Sequence, residues 1–254
     1  MIKIVLLGTG NVAEFLFGAF SESGRIQVVQ VYNHSLKSLS RFADQVEITT
    51  SVENIKDADI YLMAVKDDVI PELSGSLTNK KGLVLHTSGA VSLDALNSNS
   101  RRGVFYPLQT FSKNREVIQR NIPFCLETNV PEDLELLKNL AEDIKGTPYS
   151  VSSEQRKKLH LAAVFVCNFV NHLYAIGEQI CKENALPFEI LQPLIQETAE
   201  KILDTSPHES QTGPAKRNDS TTIKTHLDAI VEEENKAIYK LLTQAIQSAH
   251  GKEL

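Results

Sequence analysis

Tryptophan is absent from the 254 residues, methionine occurs twice and cysteine three times. Cys125, Cys167 and Cys181 lie in apolar stretches without C-x-x-C spacing. That excludes a disulfide framework or a cysteine-built metal site, and the three read as reduced core residues of a cytoplasmic protein. An excess of positive charge is missing too. The 26 Lys and Arg residues are outnumbered by 32 Asp and Glu, for a net charge of −6. This argues against nucleic acid or an anionic membrane as a general partner. No stretch of about 20 uninterrupted apolar residues occurs, so no membrane span is expected. The N-terminus lacks a basic region ahead of a cleavable apolar stretch, so no signal peptide is expected. No ligand cluster or nucleophile motif supports a metallohydrolase or an acyl-transferase, and no metal is expected. Hydrophobic residues still make up 42% of the chain, enough for a proper core.

What is present begins in the first dozen residues. Lys3–Gly8 is a short apolar strand pattern. It runs directly into Gly8-Thr-Gly-Asn-Val-Ala13, a G-x-G-x-x-A turn, and then into an apolar helical stretch from Glu14 to Phe20. A dinucleotide pyrophosphate needs this order. Gly8 permits the tight turn, and Gly10 lets the backbone approach a phosphate. Ala13 lets helix and strand pack closely, and the helix N-terminus offers free N–H groups. Gly8, Gly10, Asn11, Val12 and Ala13 are the expected pyrophosphate cradle.

The first half alternates strand and helix patterns. Strands are expected at Lys3–Gly8, Gln27–Tyr32, Glu47–Thr49, Asp59–Val65, Gly82–His86, Gly103–Pro107 and Pro123–Leu126. Helices are expected at Val12–Ser23, Leu36–Gln45, Val69–Leu77, Ser92–Asn97 and Pro131–Ile144. Alternation with near-continuous apolar strands implies an α/β fold with a parallel, doubly wound, Rossmann-like sheet. After Ser150 the pattern turns helical: Ser152–Cys181, Phe188–Leu203, and Thr221–His250 with a break near Val231. The expected domains are therefore 1–151, binding NAD(P), and 152–254, all-α. Between the later helices, Asp204–Ser220 is a long Ser/Thr/Pro/Gly-rich loop, a length that is usually functional or mobile.

NAD sites usually carry an Asp or Glu at the end of the second strand, on the ribose 2′-hydroxyl. Here that end reads Val31-Tyr-Asn-His-Ser35, with no carboxylate. Asn33, His34 and Ser35, with Lys37 or Arg41 adding charge, favour NADP, and NAD ranks second. Replacing Asn33 by Asp should move preference toward NADH. The carboxyl ends of the later strands form the ligand crevice of an open sheet. Ala64 and Val65 are expected along the nicotinamide ribose, with Thr87 and Ser88 donating to ribose or substrate; Ser88 also suits a helix N-cap. The strand end Tyr106–Thr110 faces the same crevice if the winding holds.

The stretch Leu159–Gly177 is apolar nearly all round, so it is expected to be buried in a domain or at a subunit interface. Its polar exceptions are His160, Asn168, Asn171 and His172. At about 100° per residue, His160, Asn168 and Asn171 share an arc of roughly 80°. They either polarise a carbonyl or imine beside the nicotinamide or hydrogen-bond across a helix interface. His172 lies further round and suits a structural role. In the loop 211–219, Lys216 and Arg217 suit an acidic ligand or simple solvation, and Asp219 or Ser220 suits the cap of the next helix.

Gly8–Ala13, His86–Gly89, Tyr106–Phe111, the helix start His160–Asn168 and Thr212–Asp219 together carry a resemblance over the whole chain. The chain resembles the NADP-dependent reductases that join a Rossmann domain to a helical domain of the 6-phosphogluconate dehydrogenase type. Within that superfamily it is similar to a bacterial branch described as pyrroline-5-carboxylate-reductase-like, with a C-terminal domain of unknown function. The resemblance implies NADP binding, a small-molecule substrate and a homodimer through the helical domain. The chain departs from its relatives at two places. Val164 stands where hydroxyacid dehydrogenases carry a lysine four residues before Asn168. Asp219-Ser-Thr-Thr222 stands where pyrroline-5-carboxylate reductases carry Gly-Gly-Thr-Thr. The expected activity is hydride transfer between NADP and a small carbonyl or imine, with His160, Asn168 and Ser88 at the substrate. The alternative is a nucleotide sensor or partner-binding protein on the same fold, without turnover.

Overall fold

The computed structural model describes residues 1–96, 99–113 and 121–250. The chain divides into two compact units, 1–168 and 169–254.

The first unit follows the alternation read from the sequence. Its elements run β1 (Ile2–Leu7), α1 (Asn11–Ser21), β2 (Ile26–Tyr32), α2 (Leu36–Leu39), β3 (Ile48–Thr49), β4 (Ile60–Met63), α3 (Ile70–Gly75), β5 (Leu83–His86), β6 (Arg102–Pro107), β7 (Pro123–Thr128), α4 (Pro131–Asp143), β8 (Thr147–Ser150) and α5 (Ser153–Ala163). The eight strands form one sheet in the order β3-β2-β1-β4-β5-β6-β7-β8. All neighbours pair in parallel except β6 and β7, so the expected parallel, doubly wound sheet carries one antiparallel pairing near its edge.

Side chains alternate between the two faces of a strand, and β1 shows the consequence. Ile4 and Leu6 join a core with Leu16 and Phe20 of α1 and with Leu137 and Leu140 of α4. Val5 and Leu7 join a second core with Ile70 and Leu73 of α3. Both faces are covered, which is why the strands are apolar at every position.

Three segments depart from expectation. Residues 36–45 form only the four-residue α2 and a 3-10 turn, Ser40–Phe42. The stretch expected as helix from Ser92 is a 3-10 turn, Leu93–Leu96, and Asn97 lies outside the described residues. β8 was not foreseen. It is four residues long, contains Pro148 and sits at the sheet edge, where proline is tolerated.

The shift in composition at Ser150 marks the last strand, but the compact unit runs on to Asn168. The start of α5 is fastened to the sheet. A capping box joins Ser152 and Gln155, and Arg156 pairs with Glu127 at the end of β7.

A π-helical turn, Val164–Phe169, leads into the second unit. That unit holds α6 (Val170–Glu183), a 3-10 turn (Phe188–Leu191), α7 (Gln192–Asp204), α8 (Ser220–Ala229) and α9 (Glu233–His250). Asp219 caps α8, its carboxylate accepting the Thr222 N–H at 3.1 Å. Among the described residues of this unit only Cys181, Ala215 and His250 are buried. Leu186, Ile190, Leu194, Leu203, Val231 and Leu241 are all more than half exposed.

The expectation of three core cysteines is corrected here, and of the two settings expected for the apolar helix, a domain interior or a subunit interface, the first does not hold. The apolar helix is not buried within the chain: Leu161, Phe165, Val166 and Phe169 are each 51–69% exposed. Cys167 on the same helix is exposed as well, while Cys125 and Cys181 are buried. The helix Ser153–Glu183, which contains an 18-residue window of mean hydropathy 1.5, is long and apolar enough by length and composition alone to cross a membrane. His160, Asn168, Asn171 and His172 punctuate its apolar residues, so it holds no uninterrupted apolar run of that length.

Candidate functional site

β1, β2, β4, β5 and β6 run in one direction, so their carboxyl ends share one edge. Chain order reverses between β1 and β4, the switch point at which open α/β sheets bind ligands. β5 lies two strands from β1, about 10 Å across the sheet.

The turn leaving β1 is as tight as its glycines imply. Gly8 has φ +116°, and a Cβ there would collide with the Ala64 carbonyl and meet Val65 Cγ1 at 3.2 Å. Its N–H donates to Tyr32 O at 2.8 Å. At Gly10 the position of a Cβ is open, with no atom within 4 Å. Gly10 is also the N-cap of α1 and offers no side-chain cap. The first N–H groups of a helix have no intrahelical partner, so those of Asn11, Val12 and Ala13 are available at the N-terminus of α1. A diphosphate fits this cradle. The Asn11 side chain is committed elsewhere, donating to Phe111 O at 2.9 Å.

Past β2, the Asn33 amide donates to the Thr9 hydroxyl, and its Oδ1 accepts weakly from the Ser35 N–H at 3.4 Å. Asn33 therefore braces the glycine turn. Arg41 braces it too, donating to Thr9 O at 2.7 Å while paired with Glu14 at 2.5 Å. Beside them lies a cavity of about 390 Å³, lined by Glu14, Lys37, Ser38, Ser40, Arg41 and Lys113. His34 is exposed and does not line it. Sequence reasoning missed Lys113, because only the fold brings the segment after β6 to the segment after β2.

At the other end of the crevice, the Tyr106 hydroxyl at the end of β6 meets His160 Nδ1 on α5 at 3.1 Å. Both residues pack over Gly89. A Cβ on Gly89 would stand 2.7 Å from His160 Nδ1 and 2.8 Å from Tyr106 Cζ. Burial pushes the Tyr106 phenol up to about 12, so it keeps its proton at every working pH. Tyr106 is the residue that the sequence placed at the crevice but did not single out; only its partner across 54 positions identifies it.

The remaining expected residues divide. Ala64 and Val65 sit against the glycine turn. The Thr87 hydroxyl is turned to Met63 O at 3.3 Å. Ser88 Oγ accepts the N–H groups of Ala90 and Val91 at 3.1 and 3.0 Å, which is a capping role; its hydroxyl proton remains for a ligand. Asn168 is exposed. The π turn interrupts the 100° step on which its shared arc with His160 rested. In the second unit Lys216 is half-buried and Arg217 exposed. Among the described residues, no group of three or more His, Cys, Asp or Glu is placed to hold a metal ion.

His86 is fully buried, and its Nδ1 accepts the Ser88 N–H at 3.1 Å. Burial, reinforced by the neighbouring Arg156 charge, lowers its pKa to about 3. The unfolded chain therefore binds more protons than the folded one between about pH 6.5 and pH 3. Stability is whole above that window and falls as pH drops through it. From pH 7 to pH 5 we expect a loss of about 2 kcal/mol from this residue alone. Denaturant melts of the wild type and of His86→Gln at both pH values check it: the variant should lose that part of the dependence.

Comparison with known proteins agrees with this architecture. A family described as NADP oxidoreductase coenzyme F420-dependent matches residues 3–88. A second, described as Domain of unknown function (DUF2520), matches residues 122–246. Comparison with curated proteins finds no match. Among solved structures, a Bacteroides fragilis protein with a provisional NADP oxidoreductase name is 38% identical, with TM-score 0.90. That match covers 97% of this chain and 98% of the other. A 1-pyrroline-5-carboxylate reductase of Streptococcus pyogenes is 17% identical (TM-score 0.64, covering 99% and 96%). An imine reductase of Myxococcus stipitatus is 15% identical (TM-score 0.63, covering 99% and 96%). At such identities these last two share the fold. The B. fragilis likeness, spanning both chains from end to end, reaches further: this chain belongs to the NADP oxidoreductase family that joins an F420-dependent-type nucleotide domain to the DUF2520 domain.

Proposed function

We propose that the protein is an NADP-dependent oxidoreductase acting on a small carbonyl or imine. The observation that carries the reading is the contact of Tyr106 and His160 over Gly89, on the same sheet edge as the open glycine turn. When bound, the reduced nicotinamide supplies the hydride. The chain supplies the rest. The N–H groups of Asn11, Val12 and Ala13 hold the diphosphate. Lys37, Arg41 and Lys113, with Ser38 and Ser40, receive a 2′-phosphate. Tyr106 gives its proton to the substrate oxygen or nitrogen as the hydride arrives, and His160 replaces it from Nδ1–H. In that arrangement His160 donates to the Tyr106 oxygen, leaving the phenolic O–H free for the substrate. Val164 and Asp219-Ser-Thr-Thr222, at the two points of departure from named relatives, favour a substrate of this broad class over either relative's own.

The test is NADPH oxidation by the full chain across a panel of cyclic imines and 2-keto acids, with binding followed by calorimetry. Turnover of at least one compound is expected. Binding without turnover across the panel assigns the chain to nucleotide sensing, and absence of binding overturns the reading.

The 2′-phosphate subsite makes a separate prediction. Lys37→Ala combined with Lys113→Ala should weaken NADPH roughly 10- to 100-fold, from about 1.5–3 kcal/mol for hydrogen bonds to a charged group. NADH should stay within about twofold, since neither lysine braces the glycine turn. Equal losses for both nucleotides would displace the subsite.

The helical unit leaves its apolar side chains in water, which costs about 25 cal/mol per Å². The reading therefore includes a homodimer through this unit. Light scattering is expected to give twice the 28.2 kDa chain mass, and Leu194→Asp should lower it toward the monomer. A monomer that partitions into lipid vesicles would instead assign these faces to a membrane.

A further inference from the structure

Arg156 has no exposed surface, and its guanidinium reaches β7, the loop after β5 and the first turn of its own helix, α5. One arm reaches Glu127 Oε2 at the end of β7, at 2.5 Å. The other reaches Val91 O in the loop after β5 at 2.5 Å, and Ser153 Oγ at 3.2 Å. Ser153 completes the knot. Its hydroxyl donates to Glu127 Oε2 at 2.7 Å and accepts the Leu93 N–H at 2.9 Å. Its own N–H donates to Glu127 Oε1 at 2.9 Å.

The elements so joined are those that carry the reacting pair. Gly89, the floor of the pair, lies two residues before Val91. Tyr106 stands on β6 opposite Cys125, two positions before Glu127 on the same face of β7. His160 lies one helical turn after Arg156, on the same side of α5. A buried ion pair is weak grounds for stability, since an apolar side chain of equal size would fill the space as well. What only the planar guanidinium does is grip two anchors at once in a fixed fork.

We infer that Arg156 is a positioning residue: with Glu127 it holds the start of α5 so that His160 meets Tyr106 over Gly89. This rests on the reading of Tyr106 and His160 as the proton-donating pair. Arg156→Lys keeps the charge and loses the fork.

The test is the imidazole tautomer of His160 in the full chain, by nitrogen NMR, with thermal melts to verify folding. Wild type is expected to hold mainly the Nδ1–H form. Tyr106→Phe should release it to a mixture, and Arg156→Lys should shift it by the same amount. The double variant should shift it no further. Turnover of the accepted compound should fall roughly 10- to 100-fold in Arg156→Lys, with NADPH affinity unchanged. Glu127→Gln, which weakens the same anchor, should shift the tautomer in the same direction if Arg156→Lys does not fold. A folded Arg156→Lys or Glu127→Gln protein with the wild-type tautomer would overturn the inference and leave the proposed activity untouched. Absence of NADPH turnover in the wild type would overturn the activity, while the NMR comparison would still decide the positioning role.

Discussion

Tyr106→Phe is expected to lower turnover of the accepted carbonyl or imine by roughly 10²- to 10⁴-fold, the range of a lost general acid. The hydroxyl is the only atom removed, so the fold and nucleotide affinity should change little. The residue is half-buried, and its ring stays in place against His160. Burial holds the phenol near 12, so the loss should appear across the whole stable pH range and no alkaline recovery should occur. Gly89→Ala is the geometric counterpart. Its Cβ would sit inside 3 Å of both partners, and one of them must move. A loss comparable to that of Tyr106→Phe is expected, again with NADPH binding retained. Steady-state kinetics with separate nucleotide titrations check both. Full activity in either variant would remove Tyr106 from the chemistry.

The second large effect belongs to the glycine turn, where two neighbouring glycines should fail differently. Gly8→Ala places a side chain at φ +116°, into the Ala64 carbonyl. The left-handed backbone costs about 1–2 kcal/mol and the overpacking roughly 1–3 kcal/mol more. A fall in melting temperature on the order of 10 °C follows for a chain of this size, together with loss of nucleotide binding. Gly10→Ala should melt within about 1 kcal/mol of wild type, because its Cβ enters open space at φ −75°. It should lose nucleotide affinity nonetheless, since that open space is where the diphosphate must lie. Differential scanning calorimetry beside isothermal titration separates the two. If Gly10→Ala binds NADPH as wild type does, the cradle is not where the nucleotide sits.

Much of the first unit was legible because its signals are local. Ile60-Tyr-Leu-Met63 is apolar at every position only because both faces of the sheet are covered. Pro131 at the start of α4 and Gly146 after its end punctuate that helix in the chain itself. Short elements were harder. Leu36–Gln45 carries helical spacing but breaks after one turn, and β8 is too brief for periodicity to register. The site was half legible. Gly8 and Gly10 form the turn after β1, Ala64 lies against Gly8, and His160 lies beside Gly89 and Tyr106. Asn33, expected at the ribose, braces the turn through Thr9. Asn168 lies in a π turn, Val164–Phe169, whose departure from the 100° step is not readable from the sequence.

By itself the sequence determined the alternation of strand and helix, the glycine turn and the switch to an all-α second half. Each of these depends on residues a few positions apart, where backbone preference and hydrophobic period act directly. Only the tertiary structure decided that Lys113 stands beside Lys37, that Tyr106 meets His160 over Gly89, and that Arg156 ties Glu127 to Val91. Those contacts join positions 17 to 76 residues apart. They exist because sheet order and crossover direction bring distant segments to one edge, and that order is set by how both cores are closed and not by any neighbour in the chain.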